Sequence, residues 1–515
     1  MQDIVTLGEL LRRRAAAHPD RTAIIIRDER VSYAETNHRA NRVANGLIAA
    51  GLKPGARIAL LDKNDANYFE LQFGCAKAGM VLVPINWRLA PPEIAFIIAD
   101  ATSEMLFYGP DFAPVIAAIK GGLGNIATVP MGAGGRDGYE AWRDRQSDTE
   151  PAERGTPDDT VLQLYTSGTT GRAKGVQLTA RGLQVSLPGF IDIGVCHDDD
   201  IYLLAMPFFH IGGSAMAILA VAMGCPSVVI RDLDPKGLLD AIAMHRVSLM
   251  FVVPAVILFM LNVPSVAETD LSSLRLILYG GSPIPVALLK RAMAVFKSGF
   301  GQMYGMTEAH GTITYLGAED HDPDNTERLK SCGRAIPDVE MRVVDADGNA
   351  VPDGTVGEVV CRAAKVMKGY WNRPEENARA IREGWFHSGD AGYRDRDGYY
   401  FIYDRVKDMI VSGGENIYPA EVENALYGHP AIQDVAVIGV PDETWGETVK
   451  ACVVLKPGAS ATADELILFA RQRIGGFKLP RSVDFLAEIP RNATGKFLKR
   501  ALREPYWKGR DRQVN

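Results

Sequence analysis

The chain has 515 residues, too many for one ordinary core, so two or more domains are expected. Apolar residues make up 47 % and charged residues 23 %, which excludes a disordered chain and marks a soluble globular one. The net charge of −7 argues against a general nucleic-acid binder, whose domain would be basic, and leaves room for a local basic pocket.

The opening segment, MQDIVTLGELLRRRAAAHPD, lacks the apolar core of a signal peptide, and its Arg12–Arg14 run reads as a solvated helix face. RIALL (57–61) is strand-like, ANYFELQFGCAKAG has helical spacing, and MVLVPIN returns as a strand. The pattern recurs with SVVIR (227–231), a helix near 235–245 and SLMFVV (248–253). The apolar run LMFVVPAVILFML (249–261) falls short of the roughly 20 residues a membrane span needs. It predicts a buried strand, a break at Pro254 and a buried helix. LRLILYGG (274–281) then precedes a helix over 285–296. Alternating strands and helices predict an α/β fold with largely parallel sheets. From about Ser331 the turn dipeptides of DADG, PDG and DRDG punctuate short strands, which predicts a β-rich subdomain. After the charged DRVKD (404–408) comes a stretch of about a hundred residues, a typical size for a small α+β domain. It holds the strands DVAVIGV and KACVVLK, a helix over 463–474 and a strand near 483–486. The expected division is therefore a large N-terminal domain of layered α/β sheets with its β-rich subdomain over 1–403, a hinge at 404–408 and a C-terminal domain over 409–515. Cys75, Cys196, Cys225, Cys332, Cys361 and Cys452 form no CxxC pair and no zinc spacing, so free thiols in a cytoplasmic protein are expected.

The sharpest local signal is YTSGTTGRAKGV (165–176), behind the apolar run TVLQLY. Gly168, Gly171 and Gly175 let backbone approach a ligand closely. Thr166, Ser167, Thr169 and Thr170 supply hydroxyl donors, and exposed N–H groups in such loops bind anions. Lys174 adds a point charge suited to polyphosphate. The spacing is not that of a Walker A loop, because Arg172 and Ala173 separate Gly171 from Lys174.

This loop resembles the phosphate-loop signature of the adenylate-forming superfamily, which comprises acyl-CoA synthetases, peptide-synthetase adenylation domains and luciferases. Further segments resemble that superfamily in the same order. MPFFHIGG (206–213) is similar to its aromatic–histidine motif, which puts Phe209 and His210 on an acyl-site wall; alone, His210 would read as a structural histidine. GGSP (Gly280, Gly281, Ser282, Pro283) resembles the segment lining the adenine, although by itself it could be an ordinary strand-to-helix turn. YGMTE (304–308) resembles a motif with Tyr304 against adenine, Thr307 near phosphate or carboxylate, and Glu308 on Mg²⁺. A hard cation wants a carboxylate oxygen and substrate phosphates, so the implied chemistry is consistent. Met303, Gly305 and Met306 would line the acyl site with Phe251–Pro254, an apolar set without an evident cation.

In WFHSGD (385–390), Asp390 matches a ribose-binding carboxylate, with Ser388 where many members carry threonine. DRVKDMIVSGGENIYPAEVE (404–423) is the longest match: Arg405 would contact ribose or phosphates, and Lys407 falls at the hinge. Gly413 and Gly414 would give a glycine surface to a pantetheine arm. Trp445 and Phe477 match aromatic positions near the CoA nucleotide in some members, or serve simple packing. In PRNATGKFLKR (490–500), Lys496 matches the catalytic lysine.

The resemblance implies an ATP-dependent carboxylic acid–CoA ligase with a mobile C-terminal domain, using Mg²⁺ with ATP, and CoA as cosubstrate. It implies acyl-AMP and pyrophosphate first, then acyl-CoA and AMP. The apolar lining suggests a medium- or long-chain fatty acid, with an aryl or cinnamate-like acid as the alternative. A stand-alone adenylation enzyme loading a carrier protein and a non-catalytic nucleotide-binding regulator are the further alternatives, the latter opposed by the retention of Glu308 and Lys496. No nucleic-acid partner and no transmembrane segment are expected, and a homodimer is compatible with the family.

Overall fold

The computed structural model describes residues 4–132, 138–152, 154–167, 173–405, 408–412, 415–442, 445–491 and 497–508. Two apolar-rich sheets dominate. In the larger, nine strands run in the order Arg334–Ala335, Gly311–Leu316, Gly299–Met306, Leu276–Gly280, Leu249–Val252, Tyr202–Leu204, Ser227–Val229, Thr22–Ile26 and Glu29–Ser32. The middle strands, from Gly299–Met306 to Thr22–Ile26, are parallel, and antiparallel strands close both edges. The second sheet orders Gly369–Tyr370, Ala173–Thr179, Thr160–Ser167, Val81–Pro84, Arg57–Leu61, Ser103–Tyr108 and Ala127–Pro130, again parallel except at the Gly369 end.

Helices that are apolar nearly all round must be buried on every side. Ala66–Lys77 is buried on nearly every side although it carries Asn67, Glu70, Gln72 and Lys77, Ile211–Met223 is apolar nearly all round, and one apolar cluster runs from them into both sheets through Ile58, Leu82, Leu204 and Leu278. The Asp65 side chain caps the first of these helices. Its one buried carboxylate, Glu70, is satisfied by Tyr139 Oη at 2.7 Å and Arg143 Nη1 at 2.8 Å. Separate clusters cover the outer faces of the sheets with Pro235–His245, Pro254–Leu261 and Val286–Phe296 on one, and Pro91–Asp100 and Ala113–Ile119 on the other. Helix and sheet layers therefore alternate, a mixed α/β architecture. Pro254 does break the apolar run, and it does so as the first residue of the following helix, where its missing N–H costs nothing.

Beyond Ser331, an antiparallel sheet of Glu340–Val344, Gly357–Arg362, Trp385–Arg394, Ile381–Arg382 and Tyr400–Arg405 forms the β-rich subdomain. Two strands of this region leave it: Arg334–Ala335 edges the nine-stranded sheet, and Gly369–Tyr370 edges the seven-stranded one. A fourth sheet, with Gly446–Leu455 at its centre and Ile432–Asp442 along one edge, joins the helices Pro419–Tyr427 and Ala463–Arg471 to build the smaller C-terminal domain around its own core. All six cysteines are free and buried. No helix among the described residues is long and apolar enough to cross a membrane.

Candidate active site

The parallel strands of the larger sheet end where the Gly-rich arms of the smaller one begin. Thr160–Ser167 and Ala173–Thr179 pair antiparallel, with Thr166 opposite Lys174 and Ser167 opposite Ala173. Gly168, Thr169, Thr170 and Gly171 between them lie outside the described residues, as do Lys407, Gly413, Gly414 and Lys496. Lys174 ion-pairs with Glu376, and its ammonium lies 5.1 Å from the centre of the Tyr370 ring. The Tyr370 hydroxyl donates to Glu308 Oε1 at 2.9 Å, so one side chain touches both the loop lysine and the acidic residue of YGMTE.

Leu276–Gly280 ends on Gly280, opposite Met303. A Cβ at Gly280 would overlap the Met303 carbonyl oxygen, and Gly281 has φ +80°, so this turn requires glycine twice over. Ser282 is half-buried just beyond. Gly299–Met306 carries Met303, Tyr304, Gly305 and Met306 to the same edge, and Thr307 and Glu308 open a 3₁₀ turn. The Tyr304 hydroxyl donates to Asp390 Oδ2 at 2.7 Å. Asp390 is buried, and its backbone N–H donates to Ser388 Oγ at 3.0 Å while Ser388 Oγ donates to the Val359 carbonyl at 2.5 Å. A serine thus provides the anchoring hydroxyl. Arg405 ends its strand directly opposite Asp390. Lys174 and Glu308 are joined through Tyr370, and Tyr304 and Asp390 are joined directly, with Tyr304 and Glu308 on one strand end.

His310 lies just past Glu308 in a left-handed conformation, φ +51°. The backbone N–H of Thr179 donates to its Nε2 at 2.8 Å, so the proton sits on Nδ1, which donates to the Lys365 carbonyl. Burial and the nearby Lys365 ammonium hold the imidazole pKa down at about 3, so the ring stays neutral. Burial also pushes the Lys365 ammonium down to about 7, although it donates to Ser186 Oγ at 2.9 Å and the Thr312 carbonyl at 2.7 Å. This ring ties the return arm of the Gly-rich loop to the Glu308 turn. His310→Ala is expected to lose about 2 kcal/mol or more of stability, because it orphans a buried N–H and leaves a void. A lowered urea midpoint checks this.

On the acyl side, Phe209 is buried and its ring centre lies 4.5 Å from that of His210, which caps the Ile211–Met223 helix. A Cβ on Gly212 would lie 2.7 Å from Phe251 Cε1, and one on Gly280 would lie 3.5 Å from Phe251 Cε2. The Phe251 ring therefore fills the gap between the histidine helix and the Gly280 turn. Sequence reasoning found no cation near this lining, yet Arg88 places its guanidinium carbon 4.4 Å from the Trp87 ring centre and 5.9 Å from that of Phe209. In the smaller domain Trp445 and Phe477 are 42 % and 54 % exposed. Arg481 lies 5.1 Å from the Trp445 ring, and Lys478 lies 5.4 Å from that of Phe477.

Sequence reasoning missed Tyr370, Glu376 and His310. The signal for the first two is present in GYWNRPEEN, an aromatic pair followed by a proline-started acidic helix, which falls within the stretch expected to be a β-rich subdomain. As a cation site, Glu308 supplies one carboxylate with Oε1 already engaged, and among the described residues no group of three or more His, Cys, Asp or Glu side chains could hold an ion. That donor set fits Mg²⁺ brought by a nucleotide, which binds through one or two carboxylates plus phosphates and water.

Known proteins resemble this chain over nearly its whole length. The profile of the AMP-binding enzyme family matches residues 11–371, and that of the AMP-binding enzyme C-terminal domain matches residues 421–496. The fatty acid–[acyl-carrier-protein] ligase ScoC of Streptomyces coeruleorubidus is 39 % identical, over 99 % of this chain and 98 % of its own. A feruloyl-CoA synthase of Amycolatopsis sp is 40 % identical, over 97 % of this chain and 99 % of its own. The solved structure of a Mycobacterium tuberculosis fatty acyl CoA synthetase superposes with a TM-score of 0.78 at 37 % identity, covering 97 % of this chain and 98 % of that one.

Proposed function

We propose that this chain, which belongs to the AMP-binding enzyme family and is an AMP-forming acid–thiol ligase, joins a medium- or long-chain fatty acid to CoA. The observation that carries the reading is the meeting of Lys174, Tyr370 and Glu308 beside the Tyr304–Asp390 pair. A carboxylate resists nucleophiles because of its charge, and its oxide is a poor leaving group. Attack of the carboxylate on the ATP α-phosphorus converts it to a mixed anhydride and expels pyrophosphate; the CoA thiol then attacks the carbonyl carbon and AMP leaves. Two anions must approach in the first step, so oriented cations and N–H groups are needed. Lys174 and the 166–171 backbone would hold the phosphates, with Thr307 beside them. Tyr304 would stack on adenine against Gly280, Gly281 and Ser282. Asp390 would accept from the ribose hydroxyls, with Arg405 alongside. Glu308 would hold Mg²⁺, which when bound neutralises phosphate charge.

The second step needs different surroundings at the same carbon. A turn of the 409–515 domain about Lys407 would withdraw Lys496 and bring Gly413, Gly414, Trp445 and Phe477 to the CoA arm and nucleotide. The exposure of both aromatics supports that assignment.

Phe209, Phe251, Met303 and Met306 make the acyl lining apolar, which favours a hydrocarbon chain. The aryl alternative draws support from the Phe251 ring between Gly212 and Gly280, since a flat acid needs width more than depth. Phe251→Ala is expected to shift preference toward longer acids, raising kcat/KM for a C16 acid relative to a C8 acid by about tenfold, the worth of two buried methylenes. A pyrophosphate-release screen across acids of graded length and aromaticity, run with CoA and with a carrier-protein thiol as acceptors, tests substrate and acceptor together. Release with no acid would remove the ligase reading; faster transfer to the carrier than to CoA would replace CoA as the thiol.

A further inference from the structure

The structure assigns Tyr370 as a positioning residue for adenylation: it fixes which oxygen of Glu308 meets the nucleotide-borne cation and where Lys174 waits for the phosphates. This inference rests on the ligase reading above. The Tyr370 hydroxyl donates to Glu308 Oε1 at 2.9 Å, which turns the carboxylate and leaves Oε2 as the oxygen for an ion. The ring face lies 5.1 Å from the Lys174 ammonium, close enough for a cation–π attraction. Few residues could do both, since the pairing needs an aromatic face and an O–H on one rigid group.

Tyr370 is itself held on every side. Its backbone stands opposite Val176 at the edge of the seven-stranded sheet. Asn377 clasps it, accepting from its N–H at 2.6 Å and donating to its carbonyl at 3.1 Å. The next residue, Trp371, donates its N–H to the Gly175 carbonyl at 2.7 Å and its indole N–H to the Asp100 carbonyl at 3.1 Å, and Arg57 stacks 3.3 Å from its ring centre. On the other side the Met367 N–H donates to the Glu308 carbonyl at 2.7 Å. Glu308 is thus gripped through backbone and side chain by one short segment, and that segment is hydrogen-bonded to the return arm of the Gly-rich loop. The arm that carries Lys174 and the turn that carries Glu308 are thereby joined through the Tyr370 segment.

Tyr370→Phe keeps the ring and its packing and removes only the hydroxyl. Binding of Mn²⁺ in the presence of α,β-methylene-ATP, followed by electron paramagnetic resonance, should weaken about tenfold, the scale of one hydrogen bond to a charged group. Affinity for the same nucleotide without the ion should stay within twofold of wild type. Tyr370→Ala should weaken the ion-free affinity as well, through loss of the ring beneath Lys174. In a Glu308→Gln background, Tyr370→Phe should change ion binding no further, because its partner charge is gone. Unaltered Mn²⁺ binding in Tyr370→Phe, or an equal loss with and without Glu308, would overturn the assignment. Wild-type protein that binds no nucleotide would overturn the ligase reading on which it stands.

Discussion

Lys496→Ala is expected to slow pyrophosphate release by about a hundredfold or more, the cost of losing one preorganised charge-stabilising donor. Conversion of supplied acyl-adenylate to thioester should remain largely intact. The asymmetry follows from charge. In the first half-reaction a carboxylate and a triphosphate meet and negative charge builds on the oxygens around the α-phosphorus and on the departing pyrophosphate, so a lysine there stabilises the transition state more than the ground state. In the second, the attacked group is a neutral carbonyl and the leaving group a phosphate monoester already held by other residues. Lys496 lies outside the described residues, but the residues on either side of its segment are anchored: Arg491 and Phe497 form a bridge, and the Leu498 N–H donates to the Pro490 carbonyl at 2.8 Å. Phe497 packs on the cluster of Ile438, Val440 and Cys452. The residues flanking its segment thus belong to the small domain, and we propose that Lys496 travels with that domain. Assaying the two half-reactions separately decides the matter, and equal losses in both would remove Lys496 from its role.

The layered fold was legible because parallel strands buried on both faces read as unbroken apolar runs, as in RIALL, MVLVPIN and LRLILYGG. Of the two helices between the sheets, Ala66–Lys77 was legible from its helical spacing and Ile211–Met223 was not predicted, while Pro254 marked its own break. Of the residues proposed for the site, the residue types were legible: Gly280 ends its strand, Tyr304 and Asp390 meet from within theirs, and Glu308 follows the Tyr304 strand in a 3₁₀ turn. What sequence could not give was partnership across long separations. Gly369–Tyr370 is a two-residue strand, too short to show any period, and its place depends on pairing with a strand nearly two hundred residues earlier. Tyr370 therefore read as part of a β-rich subdomain, although it belongs to the Gly-rich loop's sheet. His310 failed differently: its neighbours in sequence announce a site, but its work depends on Thr179 and Lys365, which nothing local specifies. Arg88 and Phe209 likewise meet only in the folded chain. In each case the chemistry was written in the residue type, and the address was set by tertiary pairing.

Gly305→Ala should abolish most of the adenylation rate, a loss of a hundredfold or more on the scale of about 1 Å of misplacement at a reacting centre. A Cβ at Gly305 would overlap the Gly311 carbonyl oxygen and lie 2.8 Å from Thr312 Cα. Both obstacles are backbone, so no rotamer relieves them. The Gly299–Met306 and Gly311–Leu316 strands pair across this point with a register shift between Tyr304 and Gly305, and the turn they enclose carries Thr307 and Glu308. Spreading the strands would draw Glu308 from Tyr370 and Tyr304 from Asp390 together. Overpacking of this kind also costs about 1–3 kcal/mol. Gly301→Ala on the same strand is the control: its Cβ would lie 2.7 Å from the Tyr315 ring, a side chain, and 3.0 Å from the Leu278 side chain. Those groups are side chains, which can turn where a backbone cannot, so its rate should fall less than tenfold. Pyrophosphate release and urea midpoints for the pair separate the local fault from general destabilisation. If Gly305→Ala retained the wild-type rate, the close approach of Gly305 and Gly311 could not be what sets Glu308 in place.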